Sequence, residues 1–96
     1  MANDDRCFYV VAYDISDDKR RTRVFKTLQG FGSWTQYSLF ECWLNKKEML
    51  LLQTRLQRYL DARQDSVRFY PLCVMDVSRV ETVGGAKPKE ERVYVV

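Results

Sequence analysis

Histidine is absent from all 96 residues. That removes Ser-His-Asp and Cys-His catalysis, an imidazole general base and imidazole metal ligands together. Hydrolysis by this chain would have to run on carboxylates and a hard metal ion such as Mg²⁺, with water as the nucleophile. Cysteine is scarce: Cys7, Cys42 and Cys73 stand singly, with no C-x-x-C pair. An odd count without metal-ligand spacing reads as reduced, mostly packed thiols in a cytosolic protein. No apolar run approaches the ~18 residues a membrane span needs. The opening Met-Ala-Asn-Asp-Asp-Arg has neither a signal-peptide core nor a cleavage site. The expectation is a cytoplasmic protein with no membrane partner.

What is present is a globular composition. Hydrophobic residues make up 46% and aromatics 14%, enough for one domain with a limited core. A net charge of +3 permits a nucleic-acid partner without demanding one.

The chain is organised around residues 8–21. Phe8-Tyr9-Val10-Val11-Ala12-Tyr13 is an apolar run without Gly or Pro, read as a strand buried on both faces. It ends in a lone acid, Asp14. On a two-residue period Asp14 shares a face with Phe8, Val10 and Ala12. A carboxylate there needs a charge partner, a metal, or a second copy of itself across a shared cation or proton. Two readings stay open: a Mg²⁺ ligand, or a carboxylate salt-bridged to an arginine at the following helix start.

Ser16 is the expected N-cap of that helix, with Asp17 and Asp18 meeting the positive end of its dipole. Val24, Leu28 and Phe31 recur at helical spacing, so residues 17 to about 29 form one amphipathic helix, stopped by Gly30 and Gly32. Arg21 falls on the side of Val24 and Phe25 and can turn back toward Asp14. Arg20 and Arg23 lie on the adjoining flank. Arginines here either fork onto phosphates or pair with Asp14, Asp17 or Asp18.

Residues 33–44 (SWTQYSLFECWL) are β-prone and long for one strand, which predicts a hairpin reversing near Ser38. Trp34 and Trp43 are expected in the core or a dimer contact, and Tyr37 and Phe40 in core or interface rather than under a base. Asn45 and Glu48 form a capping box, followed by a helix with Met49, Leu52, Leu56 and Leu60 on one stripe. Residues 67–74 read as another strand, with Pro71 pointing to an edge or a bulge.

The order β-α-β-β-α-β is that of an α+β ferredoxin-like sandwich. Both helices cover one sheet face. The other face, apolar along the first strand, needs a cover that a homodimer would supply. Residues 1–81 form this domain and 82–92, with Gly84, Gly85 and Pro88, a flexible connection. Residues 93–96 (VYVV) form a short strand that docks on its own sheet or on another subunit.

Tyr13-Asp14-Ile15-Ser16, Asp17-Asp18, Arg21-Thr22-Arg23-Val24, Gly30-Phe31-Gly32 and Gln36-Tyr37-Ser38-Leu39-Phe40-Glu41 together resemble the CRISPR-associated Cas-two family, over the whole chain. The resemblance implies a ferredoxin-like homodimer whose 93–96 strand reaches the partner protomer. It implies Asp14 as the catalytic and metal-site residue of a Mg²⁺-dependent endonuclease on RNA or DNA in spacer acquisition. It implies site roles for Tyr13, Arg21, Arg23 and Phe40 as well. With Arg20 these make the candidate nucleic-acid contacts. The family's other implied role is a non-catalytic dimer bridging CRISPR integrase subunits on DNA. Trp34 stands where the family often has a basic residue, which interrupts a basic track along that strand.

Overall fold

The structure, a computed structural model, describes residues 5–89. Its elements are β1 (Cys7–Asp14), α1 (Asp18–Gln29), β2 (Ser33–Gln36), β3 (Leu39–Leu44), α2 (Lys46–Gln57), β4 (Ser66–Leu72) and α3 (Val74–Ser78). The four strands form one sheet in the order β2-β3-β1-β4, and each hydrogen-bonded pair is antiparallel. Two split βαβ units interleave: β3 lies between β1 and β2, and β1 lies between β3 and β4. This is the ferredoxin-like sandwich.

Alternation along the strands sorts the side chains. Val11, Tyr13, Phe40, Cys42 and Leu44 face the helices and form one core with Val24, Leu28, Phe31, Leu52 and Leu56. The opposite face carries Phe8, Val10, Ala12 and Asp14 from β1. In register with them stand Trp43, Glu41 and Leu39 from β3, and Leu72, Tyr70, Arg68 and Ser66 from β4. On this open face Phe8 is buried edge-on against Trp43, while Val10, Ala12 and Leu39 are half-buried and Tyr70 is exposed.

Local chemistry explains the boundaries. Asp17, rather than Ser16, caps α1, accepting the Arg20 N–H at 2.9 Å. The cap sits one residue later than expected because a carboxylate there meets both the free N–H groups and the dipole. The Asn45/Glu48 capping box forms as expected. Beyond α1 the chain passes so close to β3 that a Cβ on Gly32 would lie 2.4 Å from both Cys42 Sγ and the Glu41 carbonyl oxygen. No other residue type fits there without displacing β3. The β2–β3 reversal falls at Tyr37-Ser38, with Tyr37 in the left-handed region at φ 46°. Pro71 sits opposite Tyr9 on β4, an edge strand among the described residues.

Two expectations change. The last described strand ends at Leu72, not 74, because Cys73 is the N-cap residue of α3, its thiol donating to the Asp76 carboxylate at 3.1 Å. And of the three free cysteines only Cys42 is buried, its thiol pushed up to about 12 by burial and the nearby Glu41, so it is inert packing. Cys7 and Cys73 are exposed. The expected strand at 93–96 lies outside the described residues.

Glu41 projects onto the open face between Val10 and Ser33, in the same cross-strand row as Tyr70. Burial raises its carboxyl above the ordinary glutamate value. A raised folded value means that stability is full below the unfolded value of about 4.5 and is lost as pH climbs through the raised one. Glu41→Gln is therefore expected to raise the melting temperature at pH 7, with the gain shrinking to nothing near pH 4. A gain independent of pH in thermal scans would contradict this origin.

Candidate functional site

Asp14 closes β1 opposite Ser66 of β4, at the end of the sheet where the chain turns into α1. Its carboxylate is exposed and has no hydrogen-bond or ion-pair partner among the described residues. The salt-bridge alternative for Asp14 is thereby removed, because the nearby arginines are engaged elsewhere.

Arg21 turns back along the first turn of α1. Its Nη1 donates to the carbonyls of Ile15 at 2.8 Å and Ser16 at 3.3 Å, and its Nη2 pairs with the Asp18 carboxylate. It thus pins the two residues after Asp14 and fixes the exit of the chain from the sheet. Arg20 reaches the other way, to Asp65 in the turn before β4, with Nε–Oδ2 at 2.7 Å and Nη2–Oδ1 at 3.3 Å. The Asp65 side chain is fully covered and also accepts the Asp61 N–H at 2.9 Å. The Arg20 guanidinium, with that N–H, holds its carboxyl below the usual value. Arg23 extends over the Tyr59 ring at 5.6 Å, tying α1 to the end of α2.

The aromatics divide. Tyr13 lies on the helix side of β1, buried, beside Arg21 and Ser38. Burial pushes its hydroxyl above its ordinary value, against the opposing effects of Arg21 and Ser38. Phe40 is fully enclosed, packed against Phe25 at 5.3 Å and Tyr13 at 6.3 Å. It therefore reaches no nucleic acid: the candidate contact at this position is corrected to a core residue, because β3 turns it toward the helices. Trp34, expected in the core or a dimer contact, is half exposed, its indole N–H on the Tyr37 carbonyl at 2.8 Å.

The strand end thus gathers Asp14, Tyr13 and Arg21, while Arg20 and Arg23 diverge from it. Two further residues belong to the picture. Arg68 stands on the open face opposite Ala12, one cross-strand row from Asp14, and donates to the Tyr70 hydroxyl at 3.2 Å. Its alternation with Tyr70 along β4 was the available signal. Asp65 reads in sequence only as a turn residue, and nothing local announces its bond to Arg20 across 45 positions.

Among the described residues no three His, Cys, Asp or Glu side chains converge to hold a metal. Among the described residues, Asp14 is the carboxylate without a partner at this end of the sheet. That donor is hard oxygen, the type Mg²⁺ takes, and it is short of a full set.

Fold and site define a ferredoxin-like α+β protein whose first strand ends in an exposed acid with no partner among the described residues. The chain belongs to the family described as CRISPR associated protein Cas2, whose profile matches residues 7–80. It is 45% identical over 76 residues to CRISPR-associated endoribonuclease Cas2 3 of Synechocystis sp., covering 79% of this chain and 83% of that protein. To CRISPR-associated endonuclease Cas2 2 of Thermus thermophilus it is 39% identical over 89 residues, covering 92% and 94%. The crystal structure of Streptococcus pyogenes Cas2 superposes with a TM-score of 0.71 at 34% identity, over 80% of this chain and 99% of that one.

Proposed function

We propose that this chain works in the spacer-acquisition stage of CRISPR defence as a homodimeric, Mg²⁺-dependent phosphodiesterase on RNA or DNA, with Asp14 as its catalytic and metal-holding residue. The observation that carries the reading is Asp14 itself, an exposed carboxylate at a strand end with no partner among the described residues, while Arg20 and Arg21 at the start of α1 are engaged elsewhere. The relatives' names, endoribonuclease and endonuclease, support the reaction class.

The half-buried apolar row on the open face favours a second copy packed there, which sets two Asp14 residues about a twofold axis. Two carboxylates plus water and phosphate oxygens make an acceptable Mg²⁺ environment. When bound, the ion supplies charge neutralisation at the phosphate and a more acidic water. The chain's own residues do the rest. Asp14 places negative charge where the ion is held. Arg21 fixes the backbone just after Asp14, and Arg68 offers positive charge to a phosphate on the same face. Arg20 contributes by anchoring α1 to Asp65, and Arg23 presents charge along α1. The Trp43 indole N–H donates to the Lys89 carbonyl at 3.2 Å, which holds Lys89 beside the open face that the second copy would cover. The reaction belongs in the cytoplasm; no described helix is long and apolar enough to cross a membrane.

The second reading, a non-catalytic dimer bridging CRISPR integrase subunits on DNA, is favoured by the basic outer surface of α1 around Lys19, Arg23 and Lys26. The two are separated by assaying a sized dimer fraction on RNA and on duplex DNA, in Mg²⁺ and in EDTA. Cleavage in Mg²⁺ that EDTA removes is the expected result. DNA binding without cleavage in either condition would sink the enzyme reading in favour of the adaptor, and a monomeric mass would sink the paired carboxylates.

A further inference from the structure

On the helix side of the strand that carries Asp14, a depression of about 400 Å³ opens between the first turns of α1 and the β2–β3 reversal. Tyr13, Arg21, Thr22, Phe25, Tyr37 and Ser38 line it. The lining has three kinds of surface, one of them the Arg21 guanidinium, already engaged by the Ile15 and Ser16 carbonyls and Asp18. Tyr37 and Phe25 bring flat aromatic rings. Tyr13, Thr22 and Ser38 bring hydroxyls able to donate and accept, and no carboxylate joins them. Tyr37 is 87% exposed, the most exposed aromatic among the described residues. Nothing in the fold requires that ring: it sits at a reversal where its φ of 46° suits glycine better than tyrosine.

Flat faces with hydroxyls at their edge suit a heteroaromatic ring that stacks and hydrogen-bonds at its rim. A second depression adjoins the first through Thr22, which lines both, and carries Lys19, Arg23 and Lys26 with one acid, Asp18. A pocket for a ring leading onto a cationic helix surface matches a base joined to its phosphate chain. Tyr13 and Asp14 are consecutive on β1 and so project to opposite faces at one end of the sheet. A strand with a base in the pocket would therefore round the sheet's end toward Asp14.

We propose that this depression binds one unpaired nucleobase of a single-stranded nucleic acid, with Tyr37 as the stacking platform. The site rests on the nucleic-acid reading above and narrows its substrate to strands with an accessible base, since a paired base cannot leave its stack without unpairing.

The test is fluorescence anisotropy in EDTA, where cleavage plays no part, with a short single-stranded oligonucleotide and a duplex of the same sequence. Wild type, Tyr37→Ala, Tyr37→Phe and Tyr37→Gly are compared, each checked for dimer mass and melting temperature. Tyr37→Ala and Tyr37→Gly are expected to weaken single-strand binding about tenfold. Tyr37→Phe should keep it, and duplex affinity should be unchanged in all. Glycine relaxes the backbone at this φ, so its loss of binding with intact or improved stability isolates the ring. Unchanged single-strand affinity in Tyr37→Gly, or equal loss for both ligands, overturns the site. So does dimer dissociation in Tyr37→Ala, which would make the ring a protein contact. Wild type binding neither ligand would instead overturn the nucleic-acid reading itself.

Discussion

Asp14→Asn is expected to slow Mg²⁺-dependent cleavage at least about a hundredfold while leaving the melting temperature unchanged. The two halves of that expectation come from the same observation. The Asp14 side chain is exposed and has no partner among the described residues, so none of the bonds described is lost when its charge goes. Exposed substitutions away from such bonds stay within about ±0.5 kcal/mol. Asparagine keeps the shape and one acceptor oxygen, and removes the negative charge from both copies of a dimer at once. Asp65 is the useful contrast: it is a covered carboxylate held by Arg20 and the Asp61 N–H, and the fold depends on its charge. Single-turnover cleavage and a thermal scan on the same preparation check both halves. Wild-type cleavage by a folded, dimeric Asp14→Asn would remove Asp14 from the chemistry. Lost cleavage with a large fall in melting temperature would show instead that the residue is structural.

Much of this arrangement could be read from the chain before any coordinates. Period-two and period-3.6 patterns are local, so β1, α1 and α2 were visible, as were the Asn45/Glu48 cap and the edge position implied by Pro71. The ferredoxin-like order followed from the sequence of elements, and Asp14 announced itself as a lone acid ending an apolar run. What escaped depends on contacts far apart in sequence or on geometry without a pattern. Arg20 and Asp65 meet across 45 positions, and neither neighbourhood hints at the other. α3 has five residues, too few to show a helical period, and follows directly on a strand. The need for glycine at position 32 arises from the approach of β3, which no local rule announces. The reversal near Ser38 was legible from the length of the β-prone stretch, but Tyr-Ser is not a favoured turn pair, so nothing local told whether Tyr37 lay in core or interface, and the turn leaves its ring exposed.

The case of Phe40 shows why a motif match and a site contact are different statements. Its position in the Gln36-to-Glu41 stretch fits the family pattern, yet the ring lies at 0% exposure, between Val11 across the β1 ladder, Phe25 on α1 and Tyr13. Phe40→Ala is expected to cost about 3–5 kcal/mol, the transfer free energy of the ring plus the cavity it leaves. Against a total of roughly 5–15 kcal/mol for a domain, that alone can empty the folded state at physiological temperature. Tyr13 and Phe25 would then lose the ring they pack on, so the neighbourhood of Asp14 and Arg21 would loosen as well. A loss of cleavage or binding in this variant is therefore expected to track the unfolded fraction in urea titrations. Phe40→Leu, which refills most of the space, should lose less stability and keep nucleic-acid affinity wherever it is folded. If Phe40→Ala kept wild-type stability but lost binding, the ring would have to reach the nucleic acid after all, and β3 would have to leave its place against the helices for that to happen.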